Sequence, residues 1–231
     1  AGVKVAVVHS GVNAAHPWVG GVDGYAALHP DPDSEDGYRV EDGPHEDLVG
    51  HGTACAGIIR SLAPAAEIHS VRVLGANLKG QGALLLGGIE WAIDHGMDVV
   101  NLSLSSKSPN WFAALHEVAD RAYFNNVVLV CAANNSPGPT YPSEFASVIS
   151  VASRETGDPW SLAYNPSPPV EFAARGIDVE VAWGEENIVA TGNSFAAPHV
   201  AGMVAALRSR HPELNPFQIK AVLQAASENA E

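Results

Sequence analysis

Three segments of the chain combine residue types that can carry out acyl transfer. GHGTACAG places His51 before small residues at a helix start, VLVCAANN is an apolar run ending in Asn134 and Asn135, and GNSFAAPHVAG places Ser194 before a long stretch of small residues. A histidine can remove the proton of a serine hydroxyl, and an amide or a helix N-terminus can donate hydrogen bonds to the oxyanion that follows. Together they predict a nucleophilic serine with a base and an oxyanion donor.

Strand and helix patterns alternate along the chain and would bring these segments to one edge of a sheet. Apolar runs predict strands at 3–8, 68–73, 98–103, 127–131 and 148–152; helices are predicted at 52–62, 83–95, 111–122 and 194–210, with a last helix beginning after Asn215. Strands that are apolar on both faces and separated by helices indicate an α/β fold, a mostly parallel twisted sheet between two helical layers. The sites of such sheets lie at the carboxyl ends of the strands.

Composition narrows the class of protein. The 231 residues are 46% apolar, and we expect them to form one domain over 1–231. Twenty-six acidic and 12 basic residues give a net charge of −14 without a basic stripe, so no nucleic acid is expected as a partner. No apolar run approaches the roughly 20 residues of a membrane-spanning helix. Two cysteines are too few for a disulfide framework, and Cys55 and Cys131 are predicted to be reduced, buried thiols.

No metal site is expected in the acidic segment 31–47, which holds eight carboxylates and one arginine. Asp31, Asp33 and Glu35 have the spacing of a calcium loop, but Gly37 comes one position too late for its turn and Pro32 intervenes. We therefore interpret the segment as a solvated surface loop.

The three segments resemble the motifs of the subtilisin-like serine proteases (subtilases). HGTACAG is similar to the histidine motif of that family, GNSFAAPHVAG to its serine motif and CAANN to its oxyanion-asparagine motif, and the similarity runs from residue 3 to about residue 226. The resemblance implies a subtilisin-like fold, a serine endopeptidase that needs no cofactor, and a peptide or protein substrate. No segment resembles the propeptide of the family, which suits a cytoplasmic domain or one excised from a larger parent protein; a mature secreted form is the alternative.

The resemblance also assigns roles to individual residues. Ser194 becomes the nucleophile, His51 the general base and Asn135 the oxyanion donor. The expected substrate-binding residues form two edge segments that pair with an extended peptide and a third wall: Gly80, Gln81 and Gly82; Ser103, Leu104 and Ser105; Ala133 and Asn134. Side chains at Asn134, Ser105 and Ser106, where the family has glycine, predict a narrow primary specificity pocket that prefers small residues.

The main departure from the family is at the end of the first strand. The family has Asp-Ser-Gly or Asp-Thr-Gly there, and this chain has His9, Ser10 and Gly11. The aspartate of a triad accepts the Nδ1–H bond of the base and stabilises the imidazolium. A neutral His9 could accept that bond through a ring nitrogen, but it cannot supply the negative charge. Asp47 and Asp23 are other carboxylates of this region, and neither is expected to lie under the base.

Two functions therefore stay open. One is a working peptidase, slow or highly specific, whose activity falls steeply on acidification because His9 and His51 would both become charged. The other is a pseudoprotease that binds an extended peptide or a partner protein without significant turnover. An α/β-hydrolase esterase is disfavoured because Ala196 replaces the second glycine of G-x-S-x-G.

Overall fold

A computed structural model describes residues 2–77 and 80–229. Its strands are β1 Lys4–His9, β2 Gly24–Pro30, β3 Tyr38–Asp42, β4 Glu67–Arg72, β5 Val99–Leu102, β6 Val128–Ala132, β7 Ile149–Arg154, β8 Leu162–Tyr164, β9 Phe172–Arg175, β10 Val179–Trp183 and β11 Glu186–Ala190. Its helices are α1 His51–Leu62, α2 Gly82–Asp94, α3 Phe112–Phe124, α4 Asn193–Arg210 and α5 Pro216–Ala225. The predicted strands and helices are confirmed to within a few residues.

The central sheet has the order β3-β2-β4-β1-β5-β6-β7-β9-β8 within the described residues. The strands from β2 to β9 in this order pair in parallel, and the antiparallel strands β3 and β8 lie at the two edges. Strands β10 and β11 form a separate antiparallel hairpin. The predicted α/β class with a mostly parallel sheet is therefore confirmed.

Alternation along β1 shows how the sheet is covered on both faces. Val5 and Val7 pack with residues of α1 and α4 in one apolar cluster. Ala6 and Val8 pack with residues of α2 and α3 in the other. Since successive side chains of a strand point to opposite faces, His9 at the end of β1 lies on the same face as Val5 and Val7, towards α1 and α4.

A close backbone approach joins the end of β1 to the start of α1. A Cβ atom at Gly52 would lie 1.9 Å from the carbonyl oxygen of Gly11, so no residue with a side chain fits there. Gly11 has a φ of 108°, a conformation that glycine adopts without steric cost. The two glycines therefore let the first residue of α1, His51, approach the last residue of β1, His9.

The described residues also correct the interpretation of the acidic segment. It is not wholly a loop, because β3 lies within it and pairs antiparallel with β2. Four of the five residues of β3 are exposed, so the strand has no apolar alternation by which the sequence could reveal it. Cys55 and Cys131 are buried and in no disulfide, as predicted. Among the described residues, no helix has the length and apolar character needed to cross a membrane.

Candidate active site

The serine and the histidine predicted to react with each other are in contact. Nε2 of His51 lies 3.0 Å from Oγ of Ser194, a hydrogen-bond distance between residues 143 positions apart in the chain. His51 is the first residue of α1 and Ser194 is the second residue of α4. Both side chains therefore project from helix N-termini, where backbone N–H groups and the helix dipole favour negative charge.

Aromatic rings surround the imidazole of His51. The His9 ring is stacked on it with centroids 4.2 Å apart and planes 8° apart, and the Phe195 ring lies 4.9 Å away at 24°. The indole of Trp183 meets it edge-on at 5.9 Å. A Cβ atom at Gly50 would lie 2.9 Å from this indole, so a glycine directly before His51 lets Trp183 approach.

The arrangement of His9 differs from the expected hydrogen bond. Nitrogen lone pairs of an imidazole lie in the ring plane, so a parallel stack does not direct a nitrogen of His9 at Nδ1 of His51. Nδ1 of His9 contacts Oγ of Ser10 instead, at 3.2 Å, and the His9 ring also bonds to the backbone of Ser103. Nδ1 of His51 lies 3.7 Å from Sγ of Cys55.

Burial keeps both stacked rings neutral. Desolvation lowers the pKa of His51 to about 4, against smaller opposing effects of the Asp47 charge and of the histidine's own backbone. The pKa of His9 is also well below its ordinary value, first because of burial and then because of the neighbouring His51. These shifts place the charging of the His51 ring, and with it the predicted loss of function on acidification, below the ordinary pH range of histidine.

Asp47 acts on this site through other groups. Its Oδ1 accepts hydrogen bonds from Oγ of Ser10 at 2.8 Å and from the N–H groups of Val49 and Gly50 at 3.0 and 2.9 Å. Its Oδ2 accepts from the N–H and hydroxyl of Thr53, at 2.8 and 2.6 Å. The carboxylate thus satisfies donors at the start of α1 and reaches His9 through Ser10. The sequence pattern around Asp47 did not indicate this role.

Asp23, the second carboxylate considered, lies elsewhere in the fold. Its Oδ2 accepts from the N–H of Ile68 at 2.8 Å, which ties the start of β2 to β4. It is therefore part of the strand pairing.

A polar chain runs behind the nucleophile. Nδ2 of Asn101 donates to Oγ of Ser103 at 3.2 Å, and that hydroxyl donates to the carbonyl oxygen of Ser194 at 2.9 Å. Sγ of Cys55 donates to the same Ser103 oxygen at 3.4 Å. The side chain of Ser103, predicted to bind substrate, is thus bonded within the protein, and the His9 ring bonds to the backbone of the same residue.

Asn135 lies next to the start of α4. Its Oδ1 accepts from the N–H of Asn193 at 3.2 Å, which leaves Nδ2 as the donor for an oxyanion. Asn193 was missed by sequence analysis: its Nδ2 donates to the carbonyl oxygens of Ala133 and Asn134 at 3.1 and 3.2 Å, and its Oδ1 accepts from the N–H of Ser153 at 2.8 Å. Its position directly before Ser194 was the signal available.

The two expected edge segments border a common cavity of about 320 Å³, whose lining does not include Ala133 or Asn134. Its lining includes five of the predicted residues together with apolar neighbours: Gly80, Gln81, Gly82, Leu104 and Ser105; Val73, Leu74 and Leu85. The backbone of Ser106 exchanges hydrogen bonds with that of Tyr141 at 2.8 and 2.9 Å.

The loop after β6 is linked to the segment that follows β5. Nζ of Lys107 donates to Oγ of Ser136 at 2.7 Å. The amide of Asn134 bonds within its own loop, to the carbonyl oxygen of Gly138 and the hydroxyl of Ser136 at 3.3 and 3.4 Å. In the part of the chain that the structure describes, no group of three or more His, Cys, Asp or Glu side chains is placed to hold a metal ion.

Comparisons with known proteins agree on one family. The sequence model of the Subtilase family matches residues 1–231. Subtilisin E of Bacillus subtilis (strain 168) is 32% identical over 245 aligned residues, which cover 97% of this chain and 60% of that protein. Subtilisin of Bacillus pumilus is also 32% identical, over 97% of this chain and 83% of its own length. The crystal structure of a cold adapted subtilisin-like serine proteinase superposes with a TM-score of 0.82 at 28% identity, covering 99% of this chain and 84% of that one.

Proposed function

The chain belongs to the subtilase family, and from this we propose that it is a serine endopeptidase in which Ser194 is the nucleophile, His51 the general base and His9 occupies the position of the triad carboxylate. The observation that carries the proposal is the 3.0 Å contact between Nε2 of His51 and Oγ of Ser194. A nucleophile and a base within hydrogen-bond reach are the minimum that acyl transfer requires.

The proposed reaction follows from this contact. Nε2 of His51 takes the hydroxyl proton while Oγ of Ser194 attacks the peptide carbonyl, and Nε2 then gives that proton to the leaving amine. Water, activated by the same nitrogen, hydrolyses the resulting ester. Nδ2 of Asn135 and the N–H of Ser194 would donate to the oxyanion. One such donor is worth on the order of 10²–10³ in rate.

His9 makes this site slower than one with a full triad. Burial holds the ring neutral, so it offers no negative charge to the imidazolium that forms on His51. Loss of a triad carboxylate costs on the order of 10⁴ in kcat, but the oxyanion donors and substrate binding still leave catalysis above that of water.

The substrate is proposed to be an extended peptide with a small residue before the cleaved bond. The Lys107–Ser136 contact and the paired backbones of Ser106 and Tyr141 brace the walls of the expected specificity pocket, and Asn134 adds a side chain there. A panel of peptides that differ only at this residue tests the proposal, and a preference for large aromatic residues would contradict it.

Reaction with a fluorophosphonate probe tests the function itself. We expect the probe to label Ser194, as mapped by mass spectrometry, and expect no labelling in Ser194→Ala and a strong loss in His51→Ala. Mass spectrometry of products from a denatured protein substrate then tests peptide-bond cleavage. Absence of labelling in the folded wild-type chain would contradict the peptidase and favour the second candidate, a peptide-binding pseudoprotease, for which the uncharged His9 is the supporting observation.

A further inference from the structure

The environment of Nδ1 of His51 decides which tautomer the ring adopts. For Nε2 to accept the proton of Ser194, the neutral ring must carry its own proton on Nδ1. A buried N–H that lacks an acceptor is costly, so the productive tautomer needs an acceptor at that position. In subtilases this is the carboxylate of the first strand, where this chain has the stacked ring of His9.

Among the described residues, Cys55 is the side chain placed to form a hydrogen bond with this nitrogen, beside the bond of the ring to the backbone of His51 itself. Its Sγ lies 3.7 Å from Nδ1 of His51, a distance suited to an N–H···S hydrogen bond because sulfur is a large acceptor. The two residues are four positions apart on α1, so they lie on one face of the helix, one turn apart. Cys55 is fully buried, which leaves the sulfur in a fixed position beside the ring.

Two acceptors draw the thiol proton away from His51: the hydroxyl oxygen of Ser103 at 3.4 Å and the carbonyl oxygen of Ser194 at 3.7 Å. Oγ of Ser103 has one proton, which it donates to the carbonyl oxygen of Ser194. Its lone pairs can then accept from Nδ2 of Asn101 and from Sγ of Cys55. With the thiol proton directed at Ser103, a sulfur lone pair remains for the N–H of His51.

We propose, on the premise of the proposed function, that Cys55 is a positioning residue whose sulfur accepts the Nδ1–H bond of His51 and so holds the base in the tautomer that can accept the proton of Ser194. The thiol replaces the orienting role of the missing carboxylate and leaves its charge unreplaced. Burial raises the pKa of Cys55 to about 12, so the group stays a neutral thiol. It is not a nucleophile at this position.

The tautomer can be measured directly by ¹⁵N NMR of the histidine rings, with the His51 signals assigned by their loss in His51→Ala. In the wild-type chain at pH 7 we expect the proton of His51 on Nδ1 and an unprotonated Nε2. In Cys55→Ala we expect a mixture of tautomers. We also expect fluorophosphonate labelling of Ser194 to slow by on the order of 10–100-fold, by analogy with the loss of the partner that fixes the tautomer of a metal-binding histidine. Cys55→Ser keeps an acceptor at this position and should retain much of the Nδ1–H tautomer.

Cys131 provides a matched control. It is the other cysteine of the chain, is equally buried and packs in the cluster on the opposite face of the sheet. Cys131→Ala removes the same sulfur atom and should leave both the tautomer and the labelling rate of the wild-type chain unchanged. An unchanged tautomer in Cys55→Ala, a wild-type proton on Nε2, or an equal loss of labelling in both alanine variants would overturn the proposal.

The ring signals do not depend on catalysis, so the two proposals can fail separately. A wild-type chain that never reacts with the probe but changes tautomer in Cys55→Ala would contradict the peptidase and support the role of Cys55. If Cys55→Ala reacts with the probe at the wild-type rate and keeps the wild-type tautomer of His51, the result would support the peptidase and contradict the role of Cys55.

Discussion

Restoring the carboxylate with His9→Asp should accelerate the proposed reaction about a thousandfold. The ring of His9 lies 4.2 Å from that of His51, and His9 is buried. A unit charge at about 4 Å interacts with another by about 4 kcal/mol at an effective dielectric constant of about 20. If the new carboxylate takes up that distance, the imidazolium that forms during proton transfer gains this stabilisation. Such a gain corresponds to about 10³ in rate.

His9→Asn is the matched control, because asparagine has the size and shape of aspartate without its charge. The assay is the second-order rate of fluorophosphonate reaction at pH 7.5, with circular dichroism and thermal unfolding to establish that each variant is folded. We expect His9→Asp to be much faster than wild type and His9→Asn to be similar to it. His9→Asp should also raise the pKa of His51, which the ¹⁵N signals of the ring would report.

Two outcomes would refute the reasoning. Equal rates for the aspartate and asparagine variants, both folded, would mean that charge is not what the wild-type site lacks. A large gain in the asparagine variant would mean that stacking by His9 hinders His51, so that removal of the ring is what matters.

Three further predictions concern the same site and its surroundings. Because burial lowers the pKa of His51 to about 4, labelling of Ser194 should stay constant from pH 8 to about 5 and fall near pH 4, and a midpoint near 6.5 would contradict this. Asn135→Leu, which removes the amide donor at similar size, should reduce peptide hydrolysis by on the order of 10²–10³ with little change in KM, whereas a change confined to KM would indicate a binding role. Burial also lowers the pKa of His199 to about 4 from its ordinary 6.5. The unfolded chain therefore binds this proton first, and the free energy of unfolding falls as the pH decreases from about 6.5 to 4. Denaturant unfolding of His199→Gln should show a smaller fall in this free energy, by up to about 1.4 kcal/mol per pH unit in that window.

The sequence predicted the central strands because they are buried on both faces. Val5 to Val8 and Val128 to Cys131 are continuous apolar runs, and such runs leave a parallel sheet as the main solution. Strands β3 and β11 could not be found in this way, because most of their residues are exposed. At exposed positions a strand tolerates polar and apolar side chains equally. What reveals them is backbone pairing with a neighbour, and that pairing is a property of the fold.

The contact between His51 and Ser194 could be predicted from the sequence, whereas the orientation of the His9 ring could not. The motifs around His51 and Ser194 lie 143 positions apart in the chain, and the fold brings the two side chains into contact. Whether His9 meets the ring of His51 by its edge or by its face depends on the side-chain rotamers of His9 and Ser10, which the sequence does not encode. The contact between His51 and Cys55 follows from their helical spacing of four residues, so their proximity could have been inferred from the sequence. A cysteine at that position does not by itself indicate a hydrogen-bond partner for a histidine.

The structure separates two contributions that a triad carboxylate makes together. Orientation of the base needs an acceptor in contact with Nδ1, and a neutral sulfur atom can provide it. Stabilisation of the imidazolium needs negative charge, and Asp47, which reaches the stacked rings only through Ser10, offers it from a distance. Since burial outweighs the effect of Asp47 on the pKa of His51, the proposed base is in contact with Ser194 but weakly basic. A site of this kind should gain rate from added charge and little from a better-oriented base. A charge change at residue 9 should therefore alter the pKa of His51, whereas a sulfur change at residue 55 should alter its tautomer.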